Sequence, residues 1–456
     1  MQHSAMVKTL VRKRSLASAT GAALVALTLL PVVGLADNLD QPPQVSPKVL
    51  ALEEIIITAS KRESLLLETA AAVSAFDAST LQQLSIQNAL DIVVHTPSLS
   101  MTDHKISIRG VGRPSNAIGS DPGVGVYLDG VYNTENGSFR FANFFDIERI
   151  EVLRGPQGTL YGRNTVGGAI NLISKKPGDE WGGELVAEGD NYSIKYTGGY
   201  TQYAYDYAID ADATAAKNSG LDWSQLFLFG LPVSALTGYD LTPSDMTYTI
   251  DQEATFVSHQ VQLSSNFEGP LNVISGLYYY HSEEDQLVAF HERNNDLMAV
   301  YAFFGGLIGK PVSEDNFLYR GEADLDTKSY AVYGQAAWDW TANTVLTAGL
   351  RYSEDHKNGG DNTFVQFVGD VNPPTVFRKE EDDWSQYTWR LGVDHTLDEN
   401  QFLYAFIATG YRSGGFNFQK PTSSSDVDVV DPEDLLSVEL GYKASLFDKR
   451  MNVSAA

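Results

Sequence analysis

Two kinds of patterning divide this chain. From residue 182 onward, apolar and polar positions alternate with a period of two in one segment after another. Within residues 386–395, Tyr387, Trp389, Leu391 and Val393 share one side, and Gln386, Thr388, Arg390, Gly392 and Asp394 the other. Leu346, Ala348, Leu350 and Tyr352 alternate in the same way with Thr347, Gly349, Arg351 and Ser353. Leu436, Val438, Leu440 and Tyr442 alternate with Ser437, Glu439, Gly441 and Lys443. Such a period puts successive side chains on opposite faces of a strand. Strands with one wholly polar face fit a wet lumen inside and lipid outside, as in a membrane β-barrel. A soluble sandwich also alternates, so connection lengths carry the distinction. Links at 267–270, 341–343, 397–400 and 447–450 are short, whereas 282–327, 354–384 and 413–432 are long. Short turns at one rim and long loops at the other give a barrel this rhythm. Tyr278, Tyr279, Tyr280, Trp338 and Trp340 fall at strand ends, as interfacial aromatic girdles would. The pattern predicts about eleven strands, three of them before residue 214 and the last starting at Met451. Strand boundaries between 184 and 255 stay open.

Residues 65–178 follow a different pattern, that of a compact α+β unit. Ser79 is placed to cap a short helix carrying Leu81, Leu84 and Ile86. A second helix over 89–94 stops before Pro97. Residues 106–110 and 124–131 read as strands, with Asp129-Gly130 marking a turn or bulge. Ile147, Ile150 and Val152 then alternate with Glu148, Arg149, Glu151 and Arg154. Glycines at 155, 158, 162, 167 and 168 follow, and a short apolar run from Ala169 to Ile173 closes the stretch. Strand, glycine-rich turn, strand is the local prediction. Two polar loops, 111–122 and 133–143, lie between the strands.

The N-terminal residues are of another kind again. Lys8, Arg12, Lys13 and Arg14 precede a mostly apolar run from Leu16 to Leu30, and Gly34 and Ala36 are small. This is the pattern of a secretory signal peptide over 1–36, cleaved before Asp37. Residues 37–52 hold three prolines and read as a flexible linker. Ile55, Ile56 and Ile57 follow, three β-branched residues in a row that favour an extended strand. On residue chemistry alone, that strand either opens the next domain or is an unpaired edge able to join a partner's sheet.

Composition narrows the function classes. A formal charge of −26 argues against a nucleic-acid partner. The chain has no cysteine, so it has no disulfide, thiolate metal site or cysteine nucleophile. No apolar run after residue 36 is long enough for a membrane helix. The eight histidines, at 3, 95, 104, 259, 281, 291, 356 and 395, include no i, i+4 pair of the kind that binds zinc on a helix. Gly110-x-Gly112 and Gly123-x-Gly125 lack a third glycine, and Gly309-Lys310 runs into Pro311, so neither nucleotide fingerprint is present. No catalytic constellation, cofactor site or metal site emerges.

Beyond these readings, the motifs carry a resemblance. ERIEVLRGPQGTLYG followed by GGAINLISK, together with ISIRGVG, GVYLDGVY and YRSGGFN, closely resembles TonB-dependent outer-membrane receptors of the siderophore-receptor type. EIIITASKRE resembles the family's TonB box, with one isoleucine where valine is more usual. The resemblance implies an α+β plug, 65–178, inside a barrel of about 22 antiparallel strands, of which residues 182–456 would form roughly the N-terminal half. It implies a TonB box at 53–60 in which Glu54, Ile55, Ile56, Ile57, Thr58 and Ala59 pair with TonB, the arm of an inner-membrane proton-driven complex. Substrate contacts are expected on the plug loops at Arg113, Asn116, Asp121, Asn133, Asn136 and Arg140. Glu148, Arg149, Glu151 and Arg154 are expected to make ionic contacts with the barrel wall. The implied activity is non-enzymatic: active uptake of a large scarce substrate, foremost a ferric siderophore, by a monomer in the Gram-negative outer membrane among lipid and lipopolysaccharide. Vitamin B12, glycans and other metal chelates are alternative substrates. A passive porin-like or adhesin barrel is the alternative function. An incomplete barrel is also expected to leave two open edges, and so not to form a pore by itself.

Overall fold

The computed structural model describes residues 55–102, 105–113, 118–133, 144, 147–175, 182–188, 191–210, 227–228, 231–232, 246–292, 317–365, 376–419, 427–447 and 449–456. The expected signal peptide, linker and residues 53–54 lie outside this set, as do 176–181, where the two expected domains meet.

The N-terminal unit begins with a small hairpin, β1 (Ile56–Ile57) paired to β2 (Ser64–Leu65), and a 3-10 turn at Leu66–Glu68. Next come β3 (Ala72–Asp77), α1 (Ala78–Gln83) and α2 (Ala89–His95). A three-stranded sheet follows, of β4 (Leu99–Thr102), β5 (Lys105–Ile108) and β6 (Val111–Gly112). The unit closes with β7 (Val124–Leu128), β8 (Val131–Asn133), β9 (Ile147–Arg154) and β10 (Gly168–Ser174). Its main sheet has the order β3-β9-β10-β7-β8, with β7 and β10 parallel and the other pairs antiparallel. Asp129 and Gly130 both adopt positive φ, 49° and 84°, which gives the β7–β8 connection the primed turn that suits hairpin twist.

Both helices are capped by their preceding residues. Asp77 caps α1 by accepting from the Thr80 N–H at 2.7 Å, and Ser79, the expected cap, sits within the first turn and donates its hydroxyl to Asp77. Asn88 and Asp91 form a capping box on α2, which runs one residue past the expected 94. Period two sorts the β9 side chains onto two buried faces. Ile150 and Val152 pack with Ile170 and Leu172 on one face, with Leu81 and Ile92 of the helices. Leu153 and Ala169 lie on the other, in a cluster that includes Ile57 and the wall residues Phe256, Tyr280 and Tyr333. Full burial of such side chains contributes about 1.5–3 kcal/mol each.

The wall is an antiparallel meander. Its strands are β11 (Gly182–Glu188), β12 (Tyr192–Asp210), then, beyond a separate small hairpin of β13 (Phe227–Leu228) and β14 (Leu231–Pro232), β15 (Met246–Ser265) and β16 (Leu271–Glu292). It continues with β17 (Phe317–Thr341), β18 (Thr344–Val365), β19 (Val376–Asp398) and β20 (Gln401–Arg412). A second small hairpin, β21 (Gly415–Asn417) with β22 (Asp428–Val430), precedes β23 (Glu433–Leu446) and β24 (Met451–Ala455). Ten strands thus neighbour one another in chain order from β11 to β24 among the described residues. Leu277, Val332, Leu350, Leu391 and Val438 are exposed on the outer face, while Phe402, Tyr404 and Phe406 turn inward. This is a β-barrel wall around an α+β plug.

Three expectations about the wall change. Among the described residues two strands, not three, precede residue 214, and ten rather than eleven make the sheet. The outer links are shorter than the sequence suggested, because β16 to β19 run on to Glu292, Phe317, Val365 and Val376. The β18 and β19 extensions are rich in charged and polar residues on both faces, whereas β17 keeps its alternation, with Tyr319, Ala323 and Leu325 buried between charged neighbours. Finally, Tyr280 is fully buried on the inner face and Tyr278 packs beside it, leaving Tyr279 outside against Tyr330 at 5.2 Å. Trp338 and Trp340 are exposed beside the 342–343 turn, where a girdle was expected.

Candidate functional site

The isoleucine run occupies the turn rim of the wall. Ile55 accepts from the Leu66 N–H, Ile57 is fully buried, Ala59 nearly so, and Ile56 points out, 51% exposed. Thr58 binds Glu151, a carboxylate on β9 with no solvent exposure. Arg149 donates to the same oxygen at 3.0 Å, and Asn171 reaches the other at 3.4 Å. Lys61 follows, with its ammonium 4.5 Å from the centre of the Tyr161 ring and 5.6 Å from that of Tyr127. Burial lowers its pKa to about 7, with Lys195 and Arg351 adding to the effect and Glu151 opposing it. Arg62 then reaches the wall, donating to the carbonyls of Ser265 and Val273 at 3.0 and 2.8 Å. Residues 55–62 are therefore a stowed strand, held by side-chain contacts at several points. Glu54 lies outside the described residues.

The β9 charges act differently from expectation. Arg149 bridges Glu148 at 2.6 Å and Glu151 at 3.0 Å, both on its own strand, and Glu151 turns to Thr58. Among the described residues Arg149 and Glu151 reach the N-terminal strand at Thr58, and Glu148 contacts Arg149 from the surface. Arg154 does sense the wall, through Glu439. One direct ion pair across the boundary is Arg109 to Glu439, at 2.7 Å, which the sequence pattern does not single out. Glu439 also accepts from Tyr404 and from the Ala72 N–H. Its position with Lys443 on the polar face of β23 was the available signal.

At the opposite rim, the unit's loops are fastened to the wall. Arg113 is buried and donates to the Ser120 carbonyl at 2.7 Å. Asp121 pairs with Lys357 of β18 at 2.9 Å and lies 3.7 Å from Arg163. Burial pushes the Asp121 carboxyl up, but Lys357 and Arg163 outweigh it and hold it below the usual range. Asn133 ends β8 and pairs there with Val126. Asn116, Asn136 and Arg140 lie outside the described residues. Arg113 is thus engaged within its own loop, and Asp121 by Lys357, a partner 236 positions away that the sequence hides.

A wall segment over 411–419 completes this rim. Asn164, fully buried, donates its N–H to the Tyr411 carbonyl and accepts from the Ser413 N–H. Arg412 donates to the Gly112 carbonyl at 3.0 Å. Ile118 packs with Phe416, Phe418 and Trp384. Gly119 faces Gly415 so closely that a Cβ on Gly415 would fall 2.2 Å from the Gly119 carbonyl oxygen. Only two glycines allow the backbones to meet in this way.

His281, Glu283 and Asp326 place ligand-type atoms within 4.8 Å of one another on the wall. His281 is already paired with Asp326 at 2.6 Å, and Glu283 is largely exposed, so a surface ion pair accounts for the group.

Comparisons with known proteins agree with this geometry. Residues 66–169 match the family model of the TonB-dependent receptor plug domain. The chain is 32% identical over 447 residues to the pesticin receptor of Yersinia enterocolitica, covering 81% of this chain and 62% of that protein. It is 20% identical to the vitamin B12 transporter BtuB of Vibrio vulnificus, covering 86% of this chain and 67% of that protein. It therefore spans less than two thirds of the length of the pesticin receptor. The crystal structure of the ferric yersiniabactin uptake receptor FyuA from Yersinia pestis superposes with a TM-score of 0.55 at 16% identity, covering 83% of this chain and 70% of that one. These relatives are receptors and transporters, not enzymes.

Proposed function

We propose, on the premise that this chain belongs to the TonB-dependent receptors, that it takes up a bulky, scarce solute across the Gram-negative outer membrane. The solute binds at the outer rim, and the TonB protein, powered by the inner-membrane proton gradient, pulls on residues 54–59 to admit it. The wall's apolar outer face meets lipid and lipopolysaccharide, and the plug fills the lumen. One observation carries this reading. The strand-forming Ile55–Ile57 run is stowed at the turn rim beside the buried Glu151 carboxylate and, among the described residues, pairs only with β2, with Ile56 left exposed. A two-residue strand paired on one side only can be captured by a partner's sheet edge.

A ferric siderophore is the favoured substrate class. What supports it is the fold shared with a ferric yersiniabactin uptake receptor and the weaker match to a vitamin B12 transporter. Glycans and other chelates are the alternatives. A passive pore is the weaker function, because wall side chains are spent on closing contacts with the plug, Lys357 with Asp121 and Arg412 with Gly112. Asn116, Asn133, Asn136 and Arg140 are kept as candidate substrate contacts. The test is Ile56→Pro in the natural-length receptor: proline removes a backbone donor and blocks strand pairing. Uptake of a ferric siderophore from a screened panel should stop while surface binding persists. Uptake at the unsubstituted rate would overturn the coupling assignment.

A further inference from the structure

Residues 59–71 separate two cavities at the turn rim. The larger, about 250 Å³, lies between this segment, plug residues 156–160 and the inner faces of β16 to β20. The smaller, about 110 Å³, lies on the other side, toward β19, β20 and β23. Glu68 lines both. The wall grips the partition mainly by its backbone carbonyls. Arg390 donates to the Ala70 carbonyl at 2.6 Å, and Lys443 to those of Leu66 and Thr69 at 2.7 and 2.6 Å. Arg390 is further fixed over the Phe406 ring, 3.7 Å from its centre.

These contacts point to a site that exists only after the partition leaves. We propose that withdrawal of residues 59–71 merges the two cavities into an exit chamber along β16 to β23, in which Arg390 and Lys443 hold an anionic, oxygen-rich solute. This rests on the proposed uptake function. The two cations then lose three carbonyl acceptors at once, and stranded buried donors are costly. Carboxylate, phenolate or hydroxamate oxygens of a passing chelate supply the same acceptor chemistry with added charge. Asp394 and Glu439 lie within electrostatic reach of both cations and temper the attraction. Glu439 is engaged by Arg109 and Tyr404 in the closed state. The site is therefore suited to transient holding rather than tight capture. Small residues on the wall, Ala337, Thr347 and Gly392, leave room for passage.

The test needs neither TonB nor the natural substrate. The natural-length receptor lacking residues 55–71 is reconstituted in liposomes, and entry of stachyose (neutral) and citrate (a tricarboxylate) is followed. Both should enter, with citrate favoured beyond its rate through an uncharged pore. Ala337→Trp with Thr347→Trp should abolish both leaks. Arg390→Gln with Lys443→Gln should remove the preference for citrate, read as the ratio of the two rates. A folded deletion protein that admits neither solute overturns the proposal, as does a leak unmoved by the tryptophans or a preference that survives loss of both cations. Where the deletion does not assemble, Thr347→Cys in the undeleted receptor is treated in energised cells with anionic and cationic thiosulfonate reagents. Faster anionic labelling is expected, and equal rates reject the site. Failure of Ile56→Pro to stop uptake would leave these results standing, so the two readings fail separately.

Discussion

Thr58 donates both its backbone N–H and its hydroxyl to one carboxylate oxygen of Glu151, at 2.8 and 3.1 Å. The N–H contact is independent of the residue at 58, and the hydroxyl contact is not. A buried charged acceptor of this kind contributes about 1.5–3 kcal/mol per hydrogen bond.

Glu151→Gln should therefore loosen the stowed strand without unfolding the plug. Opening should become more frequent by on the order of tenfold, the equivalent of about 1.4 kcal/mol. The measurement is thiol labelling of Ile57→Cys, a position fully buried in the docked state. Unchanged labelling would show that Glu151 does not hold the strand.

Docking of this strand should also depend on pH through Lys61. Its ammonium has an ordinary value of 10.5 and is held at about 7 when docked. The released segment binds the proton more tightly, so release is favoured wherever the lysine is charged in that state. Docking should strengthen as pH rises from about 7 toward 10.5 and be weakest below 7. Protease cleavage within 55–62 should be slower at about pH 9 than at about pH 6, and Lys61→Met should flatten the difference. The opposite slope would reject this origin.

Gly415→Ala tests the outer joint. The added methyl group meets backbone, not a movable side chain, so 411–419 and the Gly119 loop must separate. Overpacking of this kind costs about 1–3 kcal/mol. Trypsin should release the plug more readily, and the barrel's heat-modifiability should be retained. Gly269→Ala, where a Cβ meets nothing within 4 Å, is the control.

The outer-rim polar residues should divide into two classes. Alanine at Asn116, Asn133, Asn136 and Arg140 together should raise the Kd for substrate, with plug retention unchanged. Asp121→Ala should instead loosen the plug, since it strands Lys357, which is fully buried. An unpaired buried charge costs several kcal/mol. A Kd unaffected by the fourfold substitution would remove these residues from the binding surface.

Which features were legible in the sequence follows from the range of the interactions behind them. The Asp129-Gly130 turn, the β9 strand and, over Ile56–Ile57, the expected isoleucine strand depend on near neighbours, and each is present in the structure. The Asn88–Asp91 capping box is equally local, yet the apolar pattern of α2 does not reveal it. Roles set by distant partners were not readable. Asp121 looks like any polar loop residue until Lys357, 236 positions away, is brought beside it. Glu151 looks like a surface charge because its strand is buried on both faces, a case in which alternation no longer separates inside from outside.

The placement of β3 has a mechanical consequence. Tension applied at Ile55 loads the β1–β2 hairpin end-on, so its pairings open in succession like a zip rather than together in shear. The next element, β3, is the outermost strand of its sheet and borders only β9. It too can be peeled in sequence. β7 is flanked on both sides, by β10 and β8, and would have to be torn out against two rows of bonds at once. Chain unravelling from the N-terminus thus meets weak steps first and an abrupt stop at Val124. The architecture works as a graded tether, giving up the segment before Val124 as slack, with β9, β10, β7 and β8 still seated in the lumen.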